Sequence, residues 1–166
     1  MFTDGYDRTL DDKHRIQIPA PFRSAIDPAT DGTAFYVTLG ERENTLSLYT
    51  EGYFNRKARS MAIENVADRA GREFAQLFFY FSSRVELDKQ GRILLPEKQL
   101  NLLKLPRPDS ELYLAGAMYR IDIWRKPDYE KFVEANMDSF RGEMHRFLSL
   151  GSGLPRETVA QSRPPE

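Results

Sequence analysis

The sequence contains no cysteine, which removes disulfides, thiolate zinc sites and cysteine nucleophiles from consideration. Histidine is almost as scarce: His14 and His145 stand far apart, which argues against a histidine-based metal centre. Long apolar runs are missing too, and none approaches the roughly 20 residues of a membrane helix. The first residues, Met1-Phe2-Thr3-Asp4-Gly5, offer neither a basic head nor an apolar signal segment, so a cytoplasmic location is expected. Nor is there an excess of one charge, because 24 Lys and Arg oppose 25 Asp and Glu. A chain coated in positive charge is thereby excluded, and any site for a polyanion must be local. Asp4, Asp7, Asp11 and Asp12 form an acidic run, but no paired histidines, glycine-rich phosphate loop or nucleophile elbow accompanies it. No enzymatic activity, cofactor, metal or small-molecule substrate is therefore expected.

What is present is a repeat. Leu10-Asp11-Asp12-Lys13-His14-Arg15-Ile16-Gln17-Ile18-Pro19 returns as Leu87-Asp88-Lys89-Gln90-Gly91-Arg92-Ile93-Leu94-Leu95-Pro96, 77 residues later. The order of later features agrees as well, with Phe35 to Gly40 parallel to Leu112 to Gly116, and Leu46 to Tyr49 parallel to Ile121 to Trp124. At 166 residues each copy is too small for a good core of its own, so the strands of the two are expected to interleave in one barrel.

In the first copy, Ile16 and Ile18 alternate with Arg15 and Gln17, the period of a half-buried strand, and Pro19 ends it. A short helix is predicted over Pro21 to Ile26, a loop over Asp27 to Gly32, and strands over Phe35 to Leu39 and Leu46 to Tyr49. The second copy repeats this with strands at Arg84 to Leu87 and Arg92 to Leu95, a helix near Glu97 to Leu103, and strands at Glu111 to Ala115 and Arg120 to Trp124. Between the copies, Glu51 to Tyr80 reads as helix broken near Asn65 or Gly71. Its end, Phe74 to Phe81, is the most apolar run of the chain, which predicts burial on more than one side and a subunit interface. Pro127 suits the first turn of a last helix, on which Arg141, His145 and Arg146 form a solvated face, and Gly, Ser, Pro and Arg dominate from Gly151 onward. The expected organisation is repeat one at 7–51, a helical connector at 52–82, repeat two at 83–126, a C-terminal helix at 127–150 and a disordered tail at 151–166.

An Asp four residues before an Arg across a tight turn has a structural reading: the carboxylate accepts turn N–H groups while the returning guanidinium pairs with it. It also has a functional one. Lys13-His14-Arg15 and Lys89-Gln90-Gly91-Arg92 place cations at loop tips, and the guanidinium fork suits phosphate oxygens and guanine edges. Both hold together if the Asp orients the Arg. The stretch Arg8 to Arg23 has four Lys and Arg against two acids, whereas Arg84 to Lys98 has four against three. The candidate DNA-contacting residues are thus Lys13 and Arg15 first, with Arg8, His14, Lys89 and Arg92, and Asp11 and Asp88 orient the turns. Gly91 permits positive φ at its tip, whereas His14 at the matching position pays of order 1 kcal/mol unless that turn differs.

These motifs resemble the MraZ family of bacterial transcriptional regulators, which carry two domains of the SpoVT-AbrB type. The resemblance runs from about Phe2 to Lys131 and rests on Leu10 to Pro19, Leu87 to Leu94 and Ile121-Asp122-Ile123-Trp124. It implies a mixed α/β, mainly β fold: a duplicated swapped-hairpin barrel with connecting and C-terminal helices. It also implies a ring-shaped homo-oligomer, and nucleoid-associated binding to direct repeats in double-stranded promoter DNA upstream of the cell-division and cell-wall gene cluster. The family's Asp-x-x-x-Arg motif, assigned to DNA contact, maps onto Asp11 and Arg15 and onto Asp88 and Arg92. The chain departs from the pattern at His14, where glycine is expected, and at Thr50 to Phe54, where a proline and a tryptophan commonly sit. A competing reading is a non-catalytic scaffold that recognises a protein through Tyr49, Tyr53, Phe54 and Trp124, residues that otherwise belong to the core.

Overall fold

Alternating apolar positions and well-placed prolines set the elements of the computed structural model, which describes residues 1–64, 69–105 and 110–151. In chain order these are β1 (Gly5–Thr9), β2 (Arg15–Gln17), α1 (Ala20–Ser24), α2 (Pro28–Asp31), β3 (Ala34–Leu39), β4 (Thr45–Thr50), α3 (Glu51–Glu64), α4 (Arg69–Tyr80), β5 (Ser83–Glu86), β6 (Arg92–Leu94), α5 (Glu97–Leu103), β7 (Glu111–Ala117), β8 (Arg120–Arg125) and α6 (Lys126–Gly151). Pro19 and Pro96 halt β2 and β6 and stand at the N-caps of α1 and α5, where a missing N–H costs nothing. One unit comprises Met1–Tyr129, and a second begins at Glu130 within α6. In that second unit, Arg141, His145 and Arg146 are exposed, as expected for a solvated face.

The protein is mixed α/β and mainly β, with a six-stranded sheet in the order β1-β7-β8-β4-β3-β5 and a separate antiparallel ribbon of β2 and β6. The copies exchange strands. Strand β1 of the first lies against β7 of the second, and β5 of the second lies against β3 of the first. Register reveals the internal symmetry: Ile16 pairs with Ile93, its own counterpart 77 residues on, and Ser47 pairs with its counterpart Asp122. Shifting the partners Tyr6 and Leu114 by the same interval gives Ser83 and Val37, which are themselves partners. An approximate two-fold axis thus crosses both self-pairings. Strands β1 and β5 pack on β2 and β6, so the ribbon closes the barrel.

Both copies fill one core. Ile16, Ile18, Phe22, Phe35, Leu46 and Leu48 from the first meet Ile93, Leu95, Leu103, Leu112, Leu114, Ile121 and Ile123 from the second, all buried. Each such side chain contributes about 1.5–3 kcal/mol by leaving water, and the two copies share a single cluster.

Three sequence expectations change. Asp27 to Gly32 is not plain loop: Asp27 caps the single helical turn α2, its carboxylate accepting from the Ala29 N–H at 3.0 Å. Of the two proposed breaks in the connector, Gly71 lies inside the continuous α4, whereas Asn65 falls outside the described residues. The run Phe74 to Phe81 is not buried on several sides within one chain, since Phe74, Leu77, Phe79 and Tyr80 are exposed. Helix α4 meets the rest of the fold near its end, through Phe78 stacked on Phe54 at 5.6 Å, Phe79 edge-on to Phe54 at 6.3 Å and Lys98 over the Tyr80 ring at 4.3 Å. The tail from residue 152 lies outside the described residues.

Candidate nucleic-acid interface

Each Asp-x-x-x-Arg segment folds into the same turn. In the first, Asp11 Oδ1 accepts the N–H groups of Lys13 at 3.0 Å and Arg15 at 2.8 Å, while Oδ2 accepts Arg15 Nε and Nη2, both at 2.8 Å. In the second, Asp88 Oδ1 accepts the N–H groups of Gln90 at 2.8 Å and Arg92 at 3.0 Å, while Oδ2 accepts Arg92 Nε at 2.9 Å and Nη2 at 2.8 Å. The carboxylate is thus saturated locally, and the guanidinium is held by a bidentate, charge-assisted grip that fixes its plane.

The electrostatics follow from these bonds. The Arg15 guanidinium holds the Asp11 carboxyl below the ordinary carboxylate range, helped by backbone N–H groups, and Asp11 in return raises the pKa of Arg15. Asp88 is lowered to about 2, first by the Arg92 N–H and then by the Arg92 guanidinium. Both turns are therefore ion pairs throughout the neutral range.

His14 and Gly91 occupy the same backbone position. Their φ angles are +59° and +78°, so the turn in the first copy does not change to suit its histidine. In the second, a Cβ on Gly91 would lie 2.7 Å from Arg23 Nη1, so a side chain there would have to displace that guanidinium. The tips are also bonded across the axis: Ile18 N–H donates to the Gly91 carbonyl at 3.0 Å, and Leu95 N–H donates to the His14 carbonyl at 2.9 Å.

The ribbon brings the two turns together. With Ile16 and Ile93 facing the core, Arg15, Gln17, Arg92 and Leu94 fall on its outer face. Arg92 Nη1 lies 3.8 Å from Asp11 Oδ2, so the ion pairs of the two copies touch. Lys13, His14 and Lys89 are exposed at the tips. Arg8 is not gathered there: its Nε donates to the Gln17 carbonyl at 3.0 Å and its Nη1 to the Asp7 carbonyl at 2.6 Å, fastening β1 to β2. Gln17 is a positioning residue that the motif alone does not disclose. Its amide donates to the carbonyls of Gln90 at 2.9 Å and Gly91 at 3.1 Å, tying β2 to the opposite turn. The alternation of β2 set Gln17 beside Arg15, but only the strand exchange supplies its acceptors.

The arrangement can present two oriented guanidiniums and the exposed side chains of Lys13, His14 and Lys89 on a two-stranded ribbon. Among the described residues no cluster of three or more His, Asp or Glu side chains suits a metal ion, and no helix is long and apolar enough to cross a membrane.

The chain is similar to known proteins. Residues 78–149 match the family model described as "MraZ protein, putative antitoxin-like". A protein of Moorella thermoacetica called Transcriptional regulator MraZ is 35% identical over 153 residues, covering 90% of this chain and 99% of that protein. Proteins of the same name from Mycoplasmopsis pulmonis and Clostridium tetani are 29% and 30% identical, covering 90% and 83% of this chain and 95% and 91% of their own lengths. Likeness over nearly the whole length of such relatives, both repeats included, makes this chain a member of the MraZ family.

Proposed function

We propose that this protein is a non-catalytic transcription regulator that binds double-stranded promoter DNA in a sequence-specific way through the outer face of the β2–β6 ribbon. The observation that carries the reading is the pair Arg15 and Arg92, each aimed by its own carboxylate and set side by side on a ribbon whose tips bear Lys13, His14 and Lys89. A two-stranded ribbon fits the major groove, where an arginine fork reads guanine, and flexible lysines at its margins meet phosphates. Repeats 7–51 and 83–126 act as one DNA-reading barrel, and the connector 52–82 and the helix 127–150 are assigned no part in DNA contact. Arg8 supports the ribbon from behind. The family resemblance extends the reading to repeated boxes upstream of the cell-division and cell-wall gene cluster, a nucleoid-associated protein and a ring-like homo-oligomer. The exposed apolar side chains of α4 favour self-assembly.

The test is titration of the duplex upstream of the protein's own gene. Arg15→Ala should weaken binding by about 1–3 kcal/mol and blur preference at one base position. Lys13→Ala should weaken all sequences alike and reduce the salt dependence by about one unit of slope. Wild-type protein that shows no preference for that duplex over random DNA would overturn the reading. The scaffold alternative draws on one feature: Tyr49, Tyr53 and Phe54, joined by Tyr119, line an open cavity of about 390 Å³, whereas Trp124 is buried in the core. It would gain ground if specific DNA binding were absent.

A further inference from the structure

One residue on the ribbon's outer face is explained by neither the turns nor the core. Leu94 is 56% exposed, lies directly across the ladder from Arg15, and shares its strand face with Arg92 two residues before it. Its counterpart in the first copy is Gln17, whose amide is bonded to the Gln90 and Gly91 carbonyls. On the outer face of the paired strands the two-fold axis that duplicates the arginines is therefore broken at this pair, as it is at the tips by His14 against Gly91. On one side an amide is tied down over the opposite turn. On the other an isobutyl group projects into solvent between two oriented guanidiniums.

A leucine there gives the fold nothing, since its side chain remains in water while Ile93 and Leu95 on either side are fully buried. Its chemistry fits one partner on the surface that the arginines would face. Major-groove base edges are polar except at thymine, whose C5-methyl is the only apolar group they present. We propose that Leu94 is a specificity-determining residue that packs on a thymine methyl beside the base read by Arg15. Gln17, with its donors engaged, makes no such contact, so each DNA box read by one barrel is asymmetric although the barrel is nearly symmetric. The inference rests on the DNA-binding reading above and adds the identity of one base.

Deoxyuridine in place of thymine deletes that methyl and nothing else. The duplex upstream of the protein's own gene is titrated with each thymine of the protected region replaced in turn, against wild type, Leu94→Ala and Leu94→Gln, the last copying the first repeat. Wild type should lose about three- to fivefold in affinity at one thymine position, the worth of one buried methyl. Both variants, exposed-site changes expected to fold and assemble as wild type does, should bind the thymine duplex correspondingly less well and show no loss at that position. If no replacement weakens wild type, or if the same loss persists in both variants, Leu94 does not read thymine. Loss of assembly in the variants would place Leu94 between copies of the chain and would overturn the proposal equally. Failure of wild type to select the parent duplex would remove the DNA-binding reading itself, a different result seen before any thymine is replaced.

Discussion

His14 holds a backbone conformation that its equivalent, Gly91, adopts without strain. A side chain at φ +59° costs about 1–2 kcal/mol, offset in part by the greater freedom a glycine has when unfolded. His14→Gly should therefore raise stability by up to about 1 kcal/mol, read as a higher urea midpoint; a lower midpoint would show that the imidazole stabilises the turn. Asp88 makes a second residue-scale prediction. Its carboxyl titrates near 2 when folded against an ordinary value of 3.8, so the charged form is favoured by folding. A lowered folded pKa adds stability that is complete above about pH 4 and fades as the pH falls through about 2. Asparagine keeps the turn acceptor but loses the ionic grip on Arg92. Asp88→Asn should be the less stable protein at neutral pH, with the gap to wild type narrowing as pH falls from about 4 toward 2. A gap independent of pH would contradict the ion-pair account.

Among the elements, α4 leaves an apolar face uncovered. It rests on the fold through Phe78 and Phe79 against Phe54, while Phe74, Leu77, Phe79 and Tyr80 remain exposed, an apolar patch of the kind that associates. With few cations on any one barrel, tight operator binding needs several barrels acting together, and linking such contacts raises avidity by about 10²- to 10⁴-fold. The double change Phe74→Glu and Leu77→Lys should leave the thermal unfolding of the barrel intact while lowering the mass seen in sedimentation. It should also abolish the gain in affinity expected of wild type for DNA with several boxes over DNA with one. Equal binding of the multi-box DNA by a dissociated variant would refute the avidity mechanism.

At the scale of the molecule, strand exchange makes neither half self-sufficient. Residues 1–76 would retain β1 without its partner β7, β3 without β5, and Ile16 without Ile93 across the ribbon. The fragment should be unfolded or pair with itself, so that two first repeats rebuild the barrel. Circular dichroism and sedimentation would check this, and a monomeric fragment with a sharp cooperative transition would show that the copies fold as separate beads.

Much of this was legible in the chain. The 77-residue repeat, the alternation of Ile16 and Ile18, the stops at Pro19 and Pro96, and the Asp-x-x-x-Arg turns all depend on neighbours a few residues away, and local sequence determines such features. The Asp27 turn is ambiguous in the sequence because a cap followed by proline suits a loop and a single helical turn alike. What lay beyond the sequence was decided across the fold. Nothing in Ile93-Leu94-Leu95 distinguishes its middle residue, and only the pairing of Ile16 with Ile93 turns Leu94 outward beside Arg15. Likewise, Gln17 finds its acceptors, and Arg92 its second carboxylate, only once β2 and β6 lie together. The aromatic run of α4 looks like core to any local rule, yet its exposure depends on how much sheet remains for it to cover. The sequence by itself determined the two copies, their strands and their turns. Tertiary structure decided which faces met, because register across 77 residues is chosen by the burial of whole strand faces and not by any local preference.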